Sequence, residues 1–286
     1  MRNYFYCGLL FVLSLFTLGS CSNGGLKVIN SLAKNGPFEL YNDWAYSEQS
    51  TKKLDIYVPN NQEVKATVLF FYGGCWGQCR KFEKGDYLFL AETLVEQGYA
   101  VIIPDYKQFP RYKFKDILDD AKTISLWTLN NREKFGIYSD KFFIMGHSSG
   151  AHIAALLVED ESLLSDNLKQ ITGFIGLAGP YDFYPFHENY LYDLFSAENN
   201  YYASQPINFI DGNEPPHLII QGMNDDRVDS ANASHLANKL KSYGVPTQLK
   251  LLEKFRHGTL LLSLSKPFKK DSEVLKSINS FIQSMD

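Results

Sequence analysis

The stretch "FIMGHSSGAHIAALL", from Phe143 to Leu157, joins an apolar run directly to a small-residue helical pattern. The residues before Gly146 have the composition of a buried strand, and the residues after Ser148 have the spacing of a helix. A strand that enters a helix without a loop makes a strained turn, and Gly146 and Gly150 leave backbone space there that a Cβ would block. We therefore expect Ser148 at the apex of the turn, with its hydroxyl exposed above the sheet.

Apolar runs and helical patterns alternate along the rest of the chain. Ala66–Tyr72 and Ala100–Pro104 are continuous apolar runs, as expected of strands buried on both faces. The alternation from residue 66 onward predicts an α/β fold, a mostly parallel central sheet with helices on both faces. Functional residues of such a sheet lie in loops at the carboxyl ends of its strands. The other predicted strands are Trp44–Ser47, Lys53–Pro59, Lys141–Met145, Thr172–Ala178, His217–Gln221 and Thr247–Leu252, and the other predicted helices are Tyr87–Gln97, Lys115–Asn131, Ser230–Tyr243 and Asp271–Met285.

One segment, Pro180–Asp211, interrupts the alternation and is crowded with Tyr and Phe. A long insertion of this kind usually forms a lid or the wall of a pocket. The alternative is a surface excursion that packs only on itself.

The length and charge of the chain limit the classes of function. Its 286 residues suit one large α/β domain, and 45% of them are hydrophobic, as in an ordinary globular core. The formal net charge is −4, and the sequence has no long basic run. These properties give no indication of nucleic-acid binding.

The first twenty residues predict a signal peptide. Arg2 supplies a positive charge, and Leu9–Leu18 is an apolar core too short to span a bilayer. Leu18-Gly19-Ser20-Cys21 resembles the lipobox of bacterial lipoproteins, in which cleavage precedes a cysteine that is then acylated. The resemblance implies a protein of the bacterial cell envelope, anchored to a membrane through lipidated Cys21 and facing the periplasm or the exterior. Residues 21–36 would then be a polar tether and 37–286 the folded domain; an ordinary secretory peptide and an uncleaved anchor are the alternatives.

Two cysteines, Cys75 and Cys79, remain in the predicted folded domain. An even pair in an exported protein predicts a disulfide, here closing a small loop. A C-x3-C pair could instead begin a metal site, but no second pair of Cys or His lies nearby in the sequence. We therefore expect no metal.

A nucleophilic serine needs a base and an acid that orients the base. Where the serine lies in a G-x-S-x-G turn, a nucleophile elbow, the chain order is Ser, then Asp or Glu, then His. His257 follows the last predicted strand and is the candidate base. The other five histidines are expected to be structural, from their places in the turn, in helices, in the aromatic segment and at a strand start: His147, His152, His187, His217 and His235.

The acid should follow a late strand, and Asp225 and Asp226 both follow His217–Gln221. The spacing of Asp225 resembles the G-x-x-D-x-x-V pattern of many esterases and favours this residue. Asp226 is expected to be a solvated surface charge. Asp182, after the preceding strand, is a less favoured substitute.

Two further motifs carry a family resemblance. "FFYGGCWGQ", Phe70–Gln78, resembles the H-G-G-G-W loop of the carboxylesterase branch of α/β hydrolases, close to hormone-sensitive-lipase-like, feruloyl/acetyl-xylan-esterase-like and arylformamidase-like enzymes. Tyr72 stands where the family has His, and Cys75 where it usually has the third Gly. "IIPDYKQFP", Ile102–Pro110, resembles the "PDYRLxPE" stretch of the same branch, with Lys in place of Arg.

The resemblance covers about residues 44–284 and implies an α/β-hydrolase fold and an oxyanion hole. The oxyanion donors would be the backbone N–H groups of Gly74, Cys75 and Ser149. The expected function is a serine esterase acting on a small-molecule ester through a Ser-Asp-His triad and an acyl-enzyme. This chemistry needs no metal or organic cofactor.

Two other functions fit the same residues. An amidase or formamidase would use the same triad. A binding protein that kept the fold is disfavoured by the intact Ser, Asp and His.

Overall fold

A computed structural model of the protein describes residues 22–33, 36–48, 50–199 and 201–285. The predicted signal peptide and Cys21 lie outside the described residues. Within the described ranges, none of the helices has both the length and the apolar character needed to cross a bilayer.

A single eight-stranded sheet organises the described residues. Its strands, in chain order, are β1 (Phe38–Ala45), β2 (Lys53–Pro59), β3 (Ala66–Phe71), β4 (Tyr99–Pro104), β5 (Phe142–His147), β6 (Gly173–Leu177), β7 (His217–Gly222) and β8 (Thr247–Leu252). Their spatial order is β1-β2-β4-β3-β5-β6-β7-β8. The β1–β2 and β2–β4 pairs are antiparallel, and all later pairs are parallel. The predicted α/β-hydrolase fold is confirmed.

The helices follow the strands in the predicted alternation. They are α1 (Ser22–Ala33), α2 (Leu88–Val95), α3 (Phe114–Asn131), α4 (Ser149–Glu159), α5 (Glu161–Leu164), α6 (Asn189–Leu194), α7 (Ala231–Ser242), α8 (His257–Leu262) and α9 (Glu273–Gln283). Short 3-10 turns occupy Cys75–Gly77, Lys84–Tyr87, Arg132–Phe135, Ser165–Gln170, Tyr202–Ser204, Pro206–Phe209 and Lys269–Asp271. Helix α2 connects β3 to β4, toward the β1 edge of the sheet. Helices α3, α4 and α7 follow β4, β5 and β7 and lead toward the β8 edge. Right-handed crossovers therefore place α2 on the opposite face from those three.

The central strands explain the apolar runs in the sequence. Every residue of β3, β4, β5, β6 and β7 is buried. The edge strand β8 is only partly covered. Helices on both faces of the parallel strands leave no solvent-facing side, so these strands are mostly apolar instead of alternating. Their buried polar residues include Thr67, His147, His217 and Gln221.

The N-terminal segment differs from the expected polar tether. Ser22–Ala33 is a helix, and its Ile29 and Ala33 are buried. Asn30 joins the helix to the start of α2, because its side-chain amide donates to the Gly85 and Asp86 carbonyls and its oxygen accepts the Phe89 N–H. Although the segment begins with polar residues, Ile29 and Ala33 are four residues apart and therefore lie on one face of the helix.

The docking of α1 can be tested at Asn30. We expect Asn30→Ala to lower the free energy of unfolding by about 1–3 kcal/mol, because it removes three hydrogen bonds to α2 and the turn before it. Ser31→Ala is the matched control, since the Ser31 hydroxyl is exposed and bonds only to Val28 in its own helix. Urea unfolding measures the free energy of unfolding of both variants. If neither variant differs from wild type, the segment is a tether and is not docked on α2.

Candidate active site

The turn between β5 and α4 has the predicted form. Only Ser148 separates the strand from the helix, and its φ of 56° lies in the left-handed region. A Cβ on Gly146 would overlap the Gly150 carbonyl, and a Cβ on Gly150 would overlap the backbone of Phe71. Both glycines are therefore required by the close approach of backbone, and Ser148 is held at the apex at a cost of about 1–3 kcal/mol.

The structure brings the three predicted side chains together at the carboxyl edge of the sheet. His257 Nε2 lies 2.8 Å from Ser148 Oγ, and His257 Nδ1 lies 2.9 Å from Asp225 Oδ2. Asp225 follows β7, and His257 is the first residue of α8, after β8. The Asp225 carboxylate is fully buried and the His257 ring is 16% exposed. These contacts form one continuous hydrogen-bond relay from carboxylate to hydroxyl.

The Asp225 carboxylate is fixed on both oxygens. Its Oδ1 accepts the backbone N–H groups of Arg227 and Val228, and its Oδ2 accepts the Gln221 side-chain amide as well as His257 Nδ1. Burial acts to raise the pKa of Asp225, but the hydrogen bonds and charge of His257, with the two backbone donors, outweigh it. The pKa of Asp225 is therefore lowered, which keeps the carboxylate ionised beside the imidazole.

The competing acids and bases are placed elsewhere. Asp226 is exposed. Asp182 lies 2.7 Å from His235 Nδ1, on α7, and so has its own histidine partner. His187 is exposed in the aromatic insertion. The geometry selects Asp225 as the partner of His257.

The loop after β3 passes over Ser148. A Cβ on Gly73 would stand 2.8 Å from Ser148 Cβ. The next three residues all have positive φ: 120° at Gly74, 54° at Cys75 and 56° at Trp76. Among the described residues, the backbone N–H groups of Gly74 and Cys75 have no hydrogen-bond acceptor. Two unpaired donors beside the serine are what an oxyanion hole requires.

Several cross-links hold this loop. The predicted Cys75–Cys79 disulfide is present, with a Cα–Cα distance of 5.3 Å. The Gly74 carbonyl accepts the Gly77 N–H at 3.0 Å. The Trp76 carbonyl accepts the Phe109 N–H at 2.8 Å. The disulfide ring therefore lies within a wider set of contacts that fix a backbone in the left-handed region.

Tyr72 occupies the position at which the related loops have His. Its hydroxyl donates to Asp105 Oδ1 at 3.0 Å, and its ring stacks on Tyr87 with 5.1 Å between centroids. Asp105 also accepts the Lys84 backbone N–H. Tyr72 thus supplies a partly buried hydrogen bond at the base of the loop, where the family pattern would place an imidazole.

The aromatic insertion adjoins the loop after β3. Phe183 stacks on Trp76 with a centroid distance of 6.1 Å, and Phe195 meets the same indole edge-on at 5.3 Å. Phe183, Phe186 and Phe195 also pack on one another. The inner side of the insertion is therefore part of the surroundings of the site and not a self-contained excursion.

Three histidines are buried and make structural contacts. His147 Nε2 lies 3.2 Å from the His257 carbonyl, and His152 Nε2 lies 2.8 Å from the Ser204 carbonyl. Burial lowers the pKa of His147 and of His152 to about 3, with the nearby His257 adding to the effect at His147. Burial lowers the pKa of His217 to about 4. The expectation that these residues are not the base agrees with their placement.

Sequence reasoning missed the supports of the site. Gln221 donates to Asp225, and His152 accepts the Trp76 indole N–H at 3.3 Å. A polar residue at the end of the apolar strand "HLIIQ" was a signal for Gln221. The contact from His152 to Trp76 joins residues 76 positions apart, so no local sequence pattern could predict it.

A depression of about 660 Å³ lies away from this site. Its lining residues precede β6 and β7, at the amino ends of the strands, and they include Glu161, Ser162, Lys169, Asn213 and Pro215. The relay lies at the opposite, carboxyl edge of the sheet. The described residues contain no cluster of three or more His, Cys, Asp or Glu side chains suited to a metal ion.

The fold and the residues at its carboxyl edge define an α/β hydrolase of the carboxylesterase branch. The BD-FAE family pattern matches residues 54–240, and the chain belongs to the BD-FAE family. The matched range runs from β2 to α7 and includes Ser148 and Asp225; His257 lies beyond it.

Individual relatives are more distant. The chain is 27% identical over 242 residues to the isoprenylcysteine alpha-carbonyl methylesterase of Arabidopsis thaliana, and the match covers 76% of this chain and 56% of that protein. It is 28% identical to the kynurenine formamidase of Danio rerio over 151 residues, 52% of this chain and 49% of that protein. The chain thus spans about half the length of these relatives.

Solved structures share the fold. An esterase of Pyrobaculum calidifontis superposes with a TM-score of 0.75 at 18% identity, covering 95% of this chain and 93% of that one. A truncated carbohydrate esterase from gut microbiota superposes with a TM-score of 0.71 at 20% identity, covering 88% and 98%.

The buried histidines predict how stability depends on pH. A histidine of the unfolded chain takes up a proton near pH 6.5, whereas His147, His152 and His217 stay neutral in the folded protein until about pH 3–4. The unfolded state therefore binds more protons as the pH falls below 6.5. Each histidine therefore lowers the free energy of unfolding by at most about 1.4 kcal/mol for each pH unit below 6.5. Burial raises the pKa of Glu159, so this residue binds its proton at a higher pH in the folded state than in the unfolded state. Its effect on stability is opposite in sign and offsets that of one histidine.

We expect the free energy of unfolding to fall between pH 7 and pH 5, measured by urea unfolding. His217→Gln should reduce the slope, while the exposed control His187→Gln should leave it unchanged. A stability that is constant over this range would contradict the neutral state of the three buried rings.

Proposed function

We propose that this protein is a carboxylic-ester hydrolase that cleaves esters of small or medium acyl groups through Ser148, His257 and Asp225. The observation that carries the proposal is the continuous relay of 2.8 Å and 2.9 Å contacts from Ser148 Oγ through His257 to Asp225. A serine hydroxyl is a weak nucleophile until a base within hydrogen-bond reach takes its proton.

Acylation follows from this geometry. Ser148 Oγ attacks the ester carbonyl carbon while its proton passes to His257 Nε2, and the carbonyl π pair moves onto oxygen. Asp225 accepts a hydrogen bond from the Nδ1–H of His257 and stays ionised, which selects the tautomer with a free Nε2 lone pair and stabilises the imidazolium. The oxyanion pair then re-forms the carbonyl as the bond from carbon to the alkoxide oxygen breaks, and the imidazolium protonates the departing alkoxide through Nε2, leaving an acyl-enzyme and an alcohol.

The oxyanion that forms in this step needs donors already in place. The N–H groups of Gly74, Cys75 and Ser149 are proposed for this role, supported by the unpaired donors of the loop over Ser148. A single such donor contributes about 3–4 kcal/mol to transition-state stabilisation. Deacylation repeats the chemistry with water as the nucleophile and His257 as its base.

The triad assignment predicts the effect of three substitutions. Ser148→Ala, His257→Ala and Asp225→Asn should each lower the turnover of p-nitrophenyl acetate by about 10³-fold or more, since each breaks the relay. Asp182→Asn is the matched control, because it removes a carboxylate from the other Asp–His pair. Turnover and melting temperature are measured together. Wild-type turnover in any of the three folded variants removes that residue from the assignment.

A formamidase is the second candidate, favoured by the 28% identity to a kynurenine formamidase. Both reactions use the same relay, but an amine must be protonated before it leaves, whereas a phenoxide leaves readily. We expect kcat/KM for p-nitrophenyl esters of two to six carbons to exceed that for formyl-anilides by about 10²-fold or more. A formyl-anilide that is turned over faster than every ester would transfer the proposal to amide hydrolysis.

A further inference from the structure

The loop over Ser148 is held from the helix that carries the nucleophile. The backbone N–H of Trp76 donates to Ser149 Oγ at 3.1 Å, and the Trp76 indole N–H donates to His152 Nδ1 at 3.3 Å. Ser149 and His152 are three residues apart on α4 and so lie on one face of the helix. Trp76 is 4% exposed, Ser149 2% and His152 fully buried.

The tautomer of His152 follows from its two contacts. Its Nδ1 accepts from the indole, so the ring proton lies on Nε2, which donates to the Ser204 carbonyl at 2.8 Å. Ser204 belongs to the aromatic insertion. His152 therefore connects the insertion to the loop through one neutral ring.

We propose that Ser149 and His152 are positioning residues for the oxyanion hole, forming a two-point clamp on Trp76. The clamp, which rests on the proposed function, fixes Trp76 at its positive φ, and Trp76 directly follows the proposed donor Cys75. The Ser149 side chain thereby holds the loop donors while the Ser149 backbone N–H supplies another. Nucleophile and donors then move as one body with α4.

The need for a clamp comes from the backbone. A bulky residue at positive φ is strained by about 1–3 kcal/mol, and Cys75 and Trp76 are consecutive residues of this kind. The disulfide fixes Cys75 but not Trp76. Without the Ser149 hydroxyl, the Trp76 N–H would be a buried donor with no acceptor, and the loop would relax toward an ordinary φ.

The first test is kinetic. Ser149→Ala should lower kcat for p-nitrophenyl esters by about 10- to 100-fold with KM changed less than about twofold, because the donors act in the transition state. Ser149→Thr, which keeps the hydroxyl, should restore most of the loss. Ser125→Ala is the matched control, because it removes a buried hydroxyl that bonds only to the Ala121 carbonyl in its own helix.

The second test isolates the oxyanion. A trifluoromethyl ketone forms a hemiketal with Ser148: the Oγ–carbon bond forms, the hydroxyl proton passes to His257, and the carbonyl oxygen becomes an alkoxide. In Ser149→Ala its Ki should rise by the same factor as kcat/KM falls, while the Ki of the matched methyl ketone stays constant. Equal weakening of both ketones would show a general packing role and overturn the inference.

The His152 contact has its own pair of variants. His152→Asn keeps an acceptor near the position of Nδ1, and His152→Phe removes it; both lose the bond to Ser204. We expect the Phe variant to have a kcat about tenfold below that of the Asn variant. Equal values would limit the clamp to Ser149.

Hydrogen exchange separates failure of the clamp from failure of the proposed function. The Trp76 amide should exchange faster in Ser149→Ala than in wild type, whatever the activity. Faster exchange with wild-type kcat, in an enzyme that Ser148→Ala inactivates, would overturn the clamp and leave the esterase proposal intact. Full activity of Ser148→Ala would overturn both the proposed function and the catalytic role of the clamp.

Discussion

The turn at Ser148 is the constraint on which the rest of the site depends. A strand that enters a helix through one residue at φ 56° brings the backbone of Gly150 against β3 and against Gly146. This packing is possible only because both positions lack a Cβ. In return, the serine hydroxyl stands above the carboxyl edge of the sheet, at the start of a helix whose N–H groups face the same side. The strain at Ser148 is sustained by the buried strands around it.

The parallel sheet brings the other functional groups to this edge. Strands β7 and β8 run parallel to β5, so the loops that follow them end at the same level as Ser148. Asp225 follows β7 and His257 follows β8, and the two meet the serine without a special connection between them. The parallel direction of the strands thus brings the three side chains to one edge of the sheet, and local hydrogen bonds fix the orientation of the Asp225 carboxylate.

The loop after β3 is organised differently. It is not a continuation of a helix or strand, and four consecutive residues, from Gly74 to Gly77, have positive φ. Its conformation is set by cross-links: a disulfide within the loop, Phe109 on one side and α4 on the other. The aromatic insertion reaches the same indole through Phe183 and Phe195. The insertion and α4 therefore contact the loop at the same residue, Trp76.

The order of strands and helices, the turn at Ser148 and the candidates His257 and Asp225 could be predicted from the sequence, because each is encoded locally. Hydrophobic runs mark buried strands, paired glycines mark close backbone approach, and a strand-end position marks an exposed loop. The sequence also indicated the Cys75–Cys79 pair, whose partners are four residues apart. It did not indicate the helix at Ser22–Ala33, since only Ile29 and Ala33 among its apolar residues are fully buried, and the helix it packs against lies more than fifty residues later.

Only the tertiary structure decided which residues support the site. The spacing around Asp225 favoured it over Asp226 and Asp182, but the pairing of Asp182 with His235 depends on how α7 packs beside the insertion. The contacts of Trp76 with Ser149 and His152 span more than seventy residues, and Gln221 reaches Asp225 only after the β7 loop has folded back. Local pattern records the conformation that a residue prefers. The contacts between distant segments depend on how those conformations pack, and packing exists only in the folded chain.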